Sequence, residues 1–197
     1  MLLATEKNSA DDVKTALEQR ITALQKSPKR LKQAVALIGP GDADAKLCDA
    51  AFAIAQRLAR CGLSIVCGGR GGVMQAASRG AYEAGGTVIG LLPENDDQAA
   101  NAYLTVAIPT GMGEMRNALI ARSSLCLVAV GGGMGTLSEM AFGLKLGKPV
   151  FCLYPEFDLP GATGLTDVND AVEHILAWLT KEPPHALPDS EAAPLGK

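Results

Sequence analysis

The chain has 197 residues and a formal net charge of −3, with 48% apolar and 20% charged residues. This length suits one α/β domain, and the charge excludes a protein whose whole surface attracts nucleic acid or acidic membranes. No apolar run reaches the ~18 residues that a membrane-spanning helix needs. A small phosphorylated ligand is compatible with this composition, because backbone amides bind phosphate without a basic surface.

An N-terminal segment, residues 1–33, precedes the main domain. Apolar residues recur at helical spacing from 9 to 26, with Ser9 or Asp11 as the N-cap, and predict a helix that packs on the domain or on a second copy. The stretch KSPKRLKQ at 26–33 is a basic connector, which we interpret as a solvated charge run. The opening MLLATEKNSADD turns acidic too early for a secretory signal.

Short apolar runs alternate with helical stretches beyond this connector. Most runs are apolar throughout, as in strands buried on both faces of a parallel sheet. The predicted strands are 34–39, 63–69, 87–92, 103–108, 124–132 and 149–154, and the predicted helices are 44–60, 72–85, 113–122, 135–146 and 167–180. The alternation predicts a single α/β domain at 34–180, a doubly wound parallel sheet with helices on both faces.

Five cysteines are scattered through apolar segments, with no CxxC pair and no histidine beside them. They are Cys48, Cys61, Cys67, Cys126 and Cys152. We interpret them as reduced packing residues of a cytoplasmic protein, and we predict no metal site. The tail 181–197 has four prolines and almost no apolar periodicity, which predicts a flexible segment without assigned chemistry.

Three glycine-rich turns directly follow predicted strands: IGPGDADA after the first, CGGRGGVM after the second and VGGGMGTLSE after the fifth. The carboxyl ends of parallel strands meet at one edge of the sheet, where ligands bind near a change in strand order. Each turn also leads into a predicted helix, whose first amides and positive dipole end favour an anion. Glycines can serve structure alone, but three turns at one edge favour a phosphate-binding pocket.

Familiar catalytic fingerprints do not fit these turns. GxGxxG fails because the first turn ends in Asp44, whose carboxylate would repel a pyrophosphate, and GxxxxGK[ST] and GxSxG are absent. The two histidines, His174 and His185, stand in the last predicted helix and in the tail. A P-loop NTPase and a Ser-His-Asp hydrolase are therefore disfavoured, and any proton transfer falls to carboxylates, water or the substrate.

Two charged residues are candidates for the same pocket. Arg116, near the start of the predicted helix 113–122, has a fork of donors that suits phosphate or carboxylate, and the alternative is a surface or C-cap arginine. Arg122 competes with it, but its position next to a strand favours an ordinary salt bridge.

Thr136 and Glu139 spell T-x-x-E, the capping box in which the two side chains satisfy helix amides. Glu139 either caps this helix or presents a carboxylate to the glycine pocket, and both interpretations stay open.

Three stretches together resemble one protein family: VCGGRGGVMQAASRGAYEAGGTVIGLLP, MRNALIARSS and GGGMGTLSEMAFGLKLGKPV. From about Ala34 to Trp178 the chain is similar to the LONELY GUY (LOG), or lysine decarboxylase-like, family. The resemblance implies a Rossmann-like, dimeric protein with a pocket for nucleoside 5'-monophosphates. The family's enzymes hydrolyse the N-glycosidic bond and release a base and ribose 5-phosphate. A sister branch, the molybdenum cofactor carrier proteins, holds a phosphorylated pterin cofactor with the same glycine loops.

Matching the family motifs position by position implies a set of site residues. Arg116 and Glu139 would be the catalytic pair. Phosphate and ligand binding would fall to the glycine turns and one threonine: Gly39, Gly68, Gly69, Gly71, Gly72, Gly132, Gly133, Gly135 and Thr136. The fold requires no cofactor, the implied ligand is a nucleotide or the molybdenum cofactor, and the implied partner is a second copy of the chain.

Departures from the LOG pattern bear on the chemistry. Gly131 stands where the glycine motif of the family has proline. In the arginine motif, Glu114 stands in place of histidine and Asn117 in place of lysine, and the second glycine turn is one residue shorter than in the family. These departures bring the chain closer to the carrier branch and favour a binding protein or cofactor carrier. Retention of Arg116 and Glu139 favours the alternative, a phosphoribohydrolase with an oxocarbenium-like transition state. A pyridoxal phosphate decarboxylase is not expected, since the lysines of the last motif stand far from its glycine loop.

Overall fold

The structure is a computed structural model that describes residues 15–181. The predicted beginning of the first helix at residue 9 and the predicted tail beyond residue 181 lie outside the described residues. The three glycine-rich turns and both charged candidates lie within them.

A seven-stranded, entirely parallel sheet forms the centre of the described chain. The strands are β1 (Ala34–Ile38), β2 (Ile65–Cys67), β3 (Val88–Leu92), β4 (Val106–Pro109), β5 (Ser124–Val130), β6 (Val150–Leu153) and β7 (Thr163–Leu165). Their order across the sheet is β4-β3-β2-β1-β5-β6-β7. The chain therefore builds outward from β1 in one direction and then returns to start the other half at β5. The strand order reverses between β1 and β5, which is where ligands bind in sheets of this kind.

Helices cover both faces of the sheet, as predicted. They are α1 (residues 15–25 of the described chain), α2 (Ala45–Arg60), α3 (Gly72–Glu83), α4 (Asn117–Ser123, after a 3-10 turn at Gly113–Arg116), α5 (Met134–Lys145) and α6 (Val168–Thr180). One face is packed by α1, α2, α3 and α6, and the other only by α4 and α5. None of the described helices is long and apolar enough to cross a membrane. The predicted doubly wound α/β fold is confirmed.

The described part of α1 packs on its own domain. Leu17 and Ile21 are buried in the same apolar cluster as α2, and Glu18 forms an ion pair with Arg57 at 2.6 Å. The amide of Gln25 donates to the carbonyl of Gly62 at 2.9 Å, which fixes the end of α1 against the turn after α2. The described part of α1 therefore packs on the domain, which is one of the two partners that the sequence left open for this helix.

The edges of the sheet differ from the prediction. The strand predicted at 103–108 forms as β4 at Val106–Pro109, and it is exposed rather than buried on both faces because it is the edge strand of its half. The other edge, β7, was not predicted. Its sequence, TGL, is three residues long with a central glycine, so it carries no apolar run that could indicate a strand.

The predicted helix 113–122 is divided in two. Gly113 has a φ of 55°, a value that favours glycine, and a 3-10 turn follows from Gly113 to Arg116 before α4 begins at Asn117. Arg116 is the last residue of the tight turn, where its side chain is buried rather than pointing along the helix surface.

Candidate functional site

A cavity of about 290 Å³ opens at the carboxyl ends of β1 and β5, where the strand order reverses. Its walls come from all three glycine-rich turns and from the 3-10 turn before α4. The lining residues are Gly39, Pro40, Gly41, Arg70, Met74, Glu114, Arg116, Asn117, Gly133, Gly135, Thr136 and Glu139. The structure thus brings Arg116 and Glu139 together with the predicted binding residues Gly39, Gly133, Gly135 and Thr136.

The glycine loop after β5 leads directly into α5. Gly131 has a φ of 76° and Gly133 a φ of 124°. Residues other than glycine rarely adopt a backbone conformation in this region. Gly133 is the N-cap of α5 and no side chain caps the helix, so the first amides of α5 keep their hydrogen-bonding capacity. A Cβ at Gly135 would meet no atom within 4 Å, so this wall is open to a ligand. Free amides at the positive end of a helix dipole suit a phosphate group.

The capping-box interpretation of Thr136 and Glu139 is wrong. The helix begins at Met134, two residues before Thr136, because Gly133 provides the turn that starts it. Thr136 therefore lies in the first turn and Glu139 in the second, and both side chains are buried against the cavity instead of reaching back to the helix amides. T-x-x-E spacing places two residues on one face of any helix, so it does not by itself indicate a cap.

Arg116 and Glu139 form a buried pair in the cavity wall. Each residue is only 5% exposed, and Nη1 of Arg116 lies 3.6 Å from Oε1 of Glu139. Burial raises the pKa of the Glu139 carboxyl to about 8; Arg116 opposes this shift and Glu114 adds to it. Because Glu139 is largely protonated below that pH, it balances the arginine charge incompletely. The Nε of Arg116 is also buried without a hydrogen-bond partner, which is costly unless a ligand supplies an acceptor.

Neighbouring residues fix the arginine in place. A Cβ at Gly68 would lie 2.5 Å from Nη2 of Arg116, so a larger residue there would displace the guanidinium from this position. Asn117 accepts a hydrogen bond from Nη1 of Arg116 through Oδ1 and donates from Nδ2 to Oγ of Ser138 at 2.8 Å. Asn117 thus ties the arginine to α5. Sequence reasoning treated Asn117 only as a departure from the LOG pattern, although its position next to Arg116 was the signal of this role.

The remaining predicted glycines are not among the residues that line the cavity. A Cβ at Gly72, whose φ is 58°, would lie 2.4 Å from the carbonyl oxygen of Pro40. Gly69 packs against Leu92 and Leu104, and Gly132 lies against the side chain of Glu156. Gly71 and Gly68 complete this set, with Gly71 against the carbonyl of Gly41 and Gly68 beneath the guanidinium of Arg116. These five glycines allow the turns to pack closely: Gly71 and Gly72 pack against the backbone of the first turn, Gly68 against Arg116, and Gly69 and Gly132 against side chains outside the cavity lining.

A second cation, Arg70, lines the cavity from the turn after β2. It forms an ion pair with Glu94 near the rim, and Asn101 donates to its backbone carbonyl at 3.1 Å. Sequence reasoning did not select Arg70, although its place between two glycine pairs was a usable signal. The competing candidate Arg122 does not line the cavity. It is exposed at the end of α4, where its carbonyl accepts a hydrogen bond from Nζ of Lys148 at 2.7 Å.

Two solved structures are similar to this chain in fold and in sequence, and one further relative is similar to it in sequence. The molybdenum cofactor binding protein of the phototrophic bacterium Rippkaea orientalis is 33% identical, with a TM-score of 0.71 over 76% of this chain and 98% of that chain. The molybdenum cofactor carrier protein of Chlamydomonas reinhardtii is 34% identical, with a TM-score of 0.70 over 76% of this chain and 99% of that chain. A cytokinin riboside 5'-monophosphate phosphoribohydrolase of Arabidopsis thaliana is 38% identical over 96 residues, 47% of this chain and 42% of that protein.

The family match spans most of the described chain. The profile of the SLOG cluster4 family covers residues 32–180, which include all seven strands and the whole cavity. Together with these relatives it confirms the resemblance to the LOG superfamily and to its molybdenum cofactor carrier branch. The chain belongs to the SLOG cluster4 family.

Proposed function

We propose that this protein binds and carries a small phosphorylated ligand, a nucleoside monophosphate or the molybdenum cofactor, in the cavity between β1 and β5. The observation that carries the proposal is the buried guanidinium of Arg116, whose Nε has no hydrogen-bond partner and whose charge Glu139 balances incompletely. An anionic ligand supplies both the acceptor and the charge that this group lacks.

The chemistry of the cavity fits a phosphate group. Its oxygens would accept hydrogen bonds from the first amides of α5 and from the hydroxyl of Thr136, and the dipole of α5 would add attraction. Gly133 and Gly135 leave the space that such an approach needs. The molybdenum cofactor carries a phosphate on a pterin, and the same residues would hold that phosphate. When bound, the cofactor would supply the metal chemistry, whereas this chain would supply only binding and orientation.

Calorimetric titration with AMP and with GMP tests the proposal. We expect Arg116→Ala to weaken binding of both nucleotides at least about tenfold, and Thr136→Val to weaken it less, because charge-assisted hydrogen bonds are the stronger ones. Arg122→Ala is the matched control, since it removes the same charge outside the cavity. Unchanged affinity in both Arg116→Ala and Thr136→Val would remove this cavity as the binding site.

A second candidate function is phosphoribohydrolase activity, which the position of Glu139 favours. Its carboxyl group lies in the cavity wall beside Arg116, where an ionised form would stabilise positive charge at C1 of a bound ribose. Water would add to C1 as the bond to the base nitrogen breaks, and the base would leave with a proton to give ribose 5-phosphate. The raised pKa of Glu139 keeps much of this group protonated at neutral pH, which favours the binding function.

Incubation with AMP, GMP and CMP followed by an assay for free base separates the two functions. A carrier releases no base above the level of a Glu139→Gln control. Base release by the wild-type protein that disappears in Glu139→Gln would establish the hydrolase and replace the carrier proposal. The assay is best run at pH 7 and pH 9, because the ionised carboxylate predominates only at the higher value.

We also infer that the protein forms a homodimer through the face that carries α4 and α5. Among residues 15–181 only α4 and α5 cover this face, and it exposes large apolar side chains: Met115 is 72% exposed, Met134 75% and Phe142 42%. Met115 and Met134 adjoin residues of the cavity wall, so a second copy seated here would also narrow the cavity opening. Light scattering tests this inference. Met134→Glu with Phe142→Glu should give monomers, whereas Tyr82→Glu, an exposed aromatic on the other face, should not.

The cysteines support a reducing location for this function. All five are unpaired, and four of them are buried. Burial raises the pKa of the Cys126 thiol to about 12 and also raises that of Cys67, so both stay protonated and unreactive. We therefore propose that the protein works in the cytoplasm.

A further inference from the structure

The carboxylate of Glu114 is a charged group of the cavity wall that has no partner in the described chain. Arg70 is paired with Glu94 and Arg116 with Glu139. Glu114 also lines the cavity but makes no side-chain hydrogen bond or ion pair with any residue between 15 and 181. It is exposed, so solvent satisfies it when no ligand is bound.

The residues that line the cavity differ in burial, which distinguishes a buried end at Arg116 and Thr136 from an exposed rim at Glu114. Asn117 is bonded to Ser138 in the first turns of α5, next to the free helix amides. Arg116 comes next and reaches across to Gly68 at the far wall. Glu114 stands two residues before Arg116 in the chain and lies at the exposed rim of the same cavity. A ligand whose phosphate binds at the buried end, beside Arg116 and Thr136, therefore has its other end toward the exposed rim where Glu114 lies.

A carboxylate recognises one class of heterocycle edge. Its two oxygens only accept hydrogen bonds, so they match two adjacent donors. The 2-amino-4-oxopyrimidine ring that guanine and pterins share offers such a pair, a ring N–H beside an exocyclic amine. Adenine offers a donor beside an acceptor, and the acceptor would face a carboxylate oxygen unfavourably. The thioether of Met74 in the same wall provides an apolar contact for the ring.

We propose that Glu114 is the residue that selects the heterocycle of the ligand, and that it favours guanine or pterin compounds over adenine compounds. The proposal rests on the proposed function, because it takes the phosphate to be bound at α5. It assigns a role to a position where the LOG pattern has histidine. On this basis the departure from that pattern changes the ligand and leaves the phosphate contacts in place.

Calorimetric titration with GMP, IMP and AMP tests the role of Glu114. These nucleotides share the phosphate and ribose and present two donors, one donor, and a donor beside an acceptor. We expect GMP to bind about tenfold more tightly than AMP, with IMP between them. In Glu114→Gln the amide both donates and accepts, so GMP affinity should fall about tenfold while AMP affinity stays equal or rises. Glu83→Gln, which removes an exposed carboxylate at the end of α3, should leave all three affinities unchanged.

Each outcome separates the selectivity from the binding function. Equal affinities for the three nucleotides, still reduced by Arg116→Ala, would overturn the role of Glu114 and leave the carrier function standing. A GMP preference that survives in Glu114→Gln would overturn it as well, because another residue would then read the ring. Absence of binding by all three would count against the proposed function and would remove this inference with it.

Discussion

Two of the glycine-rich turns at the carboxyl edge look alike in sequence but contain glycines that serve opposite purposes. In the turn after β2, a Cβ at Gly68 or at Gly72 would lie within 2.5 Å of another atom, so these glycines allow two parts of the chain to touch. In the turn after β5, a Cβ at Gly133 or at Gly135 would meet nothing within 4 Å. Glycine there leaves space unfilled. A run of glycines after a strand thus indicates either close packing or an open ligand site, and only the surrounding atoms distinguish them.

The strongest test of this contrast is Gly72→Ala. The added methyl would lie 2.4 Å from the carbonyl oxygen of Pro40, and the residue would keep a φ of 58°. Clash and strain together should lower the free energy of unfolding by about 3 kcal/mol in urea denaturation. Gly85→Ala is the matched control, since Gly85 has a φ of 74° with no atom near the new methyl and should lose only about 1 kcal/mol. Equal losses in the two variants would contradict close packing as the reason for Gly72.

Gly68→Ala should separate binding from stability. The new methyl meets the guanidinium of Arg116, which is the end of a flexible side chain and can move, whereas Gly72 meets backbone. We expect a loss of about 1 to 2 kcal/mol in stability, together with a loss of nucleotide affinity as large as that of Arg116→Ala. Native affinity in this variant would show that the position of the guanidinium does not matter for binding.

Glu139, in the helix that follows the open turn after β5, predicts a pH dependence of stability. Its pKa is raised from 4.5 to about 8 in the folded state, so the folded protein binds more protons than the unfolded chain between these values. Stability from this group is therefore complete below about pH 4.5 and is lost as the pH rises through 8, by at most about 1.4 kcal/mol per pH unit. Glu139→Gln should remove that slope. Phosphate affinity should also fall above pH 8, since the ionised carboxylate then competes for Arg116; parallel pH profiles in both proteins would contradict this assignment.

The smallest change in stability is expected for Gly135→Ala. This residue lies in the first turn of α5 with open space around it, and alanine favours a helix by about 0.5 to 1 kcal/mol over glycine. Thermal unfolding should therefore show equal or slightly greater stability, while the methyl group in the cavity weakens nucleotide binding. A variant that equals the wild type both in stability and in nucleotide affinity would show that Gly135 does not contact the ligand.

The fold was accessible from the sequence because its strands are continuous apolar runs separated by helical spacing. Two departures lie at the sheet edges, where β4 is exposed and β7 is too short to carry a pattern, and a third is the division of the predicted helix 113–122 at Arg116. Arg116 and Glu139 could be predicted as site residues from their positions in the family motifs. The parallel topology predicted that the glycine-rich turns meet at one edge of the sheet.

The side-chain arrangement of the site was less accessible. T-x-x-E spacing left a helix cap and a pocket carboxylate both open for Glu139, because the sequence does not show that a positive φ at Gly133 starts the helix two residues before Thr136. The supporting contact of Asn117 and the cavity position of Arg70 depend on side-chain directions, which local sequence does not determine. Gly69 and Gly132 belong to the same glycine-rich motifs as their neighbours, but they pack against side chains that do not line the cavity.

The packing of α1 has a consequence for how the protein can be divided. The family profile begins at residue 32, yet Leu17 and Ile21 lie earlier in the chain and are buried against α2. A gene shortened to the family segment would encode a chain with this apolar surface uncovered, at a cost of about 2 to 5 kcal/mol for each large side chain removed. The unit that folds in this chain is thus larger than the segment that the family profile covers, because α1 contributes to the core.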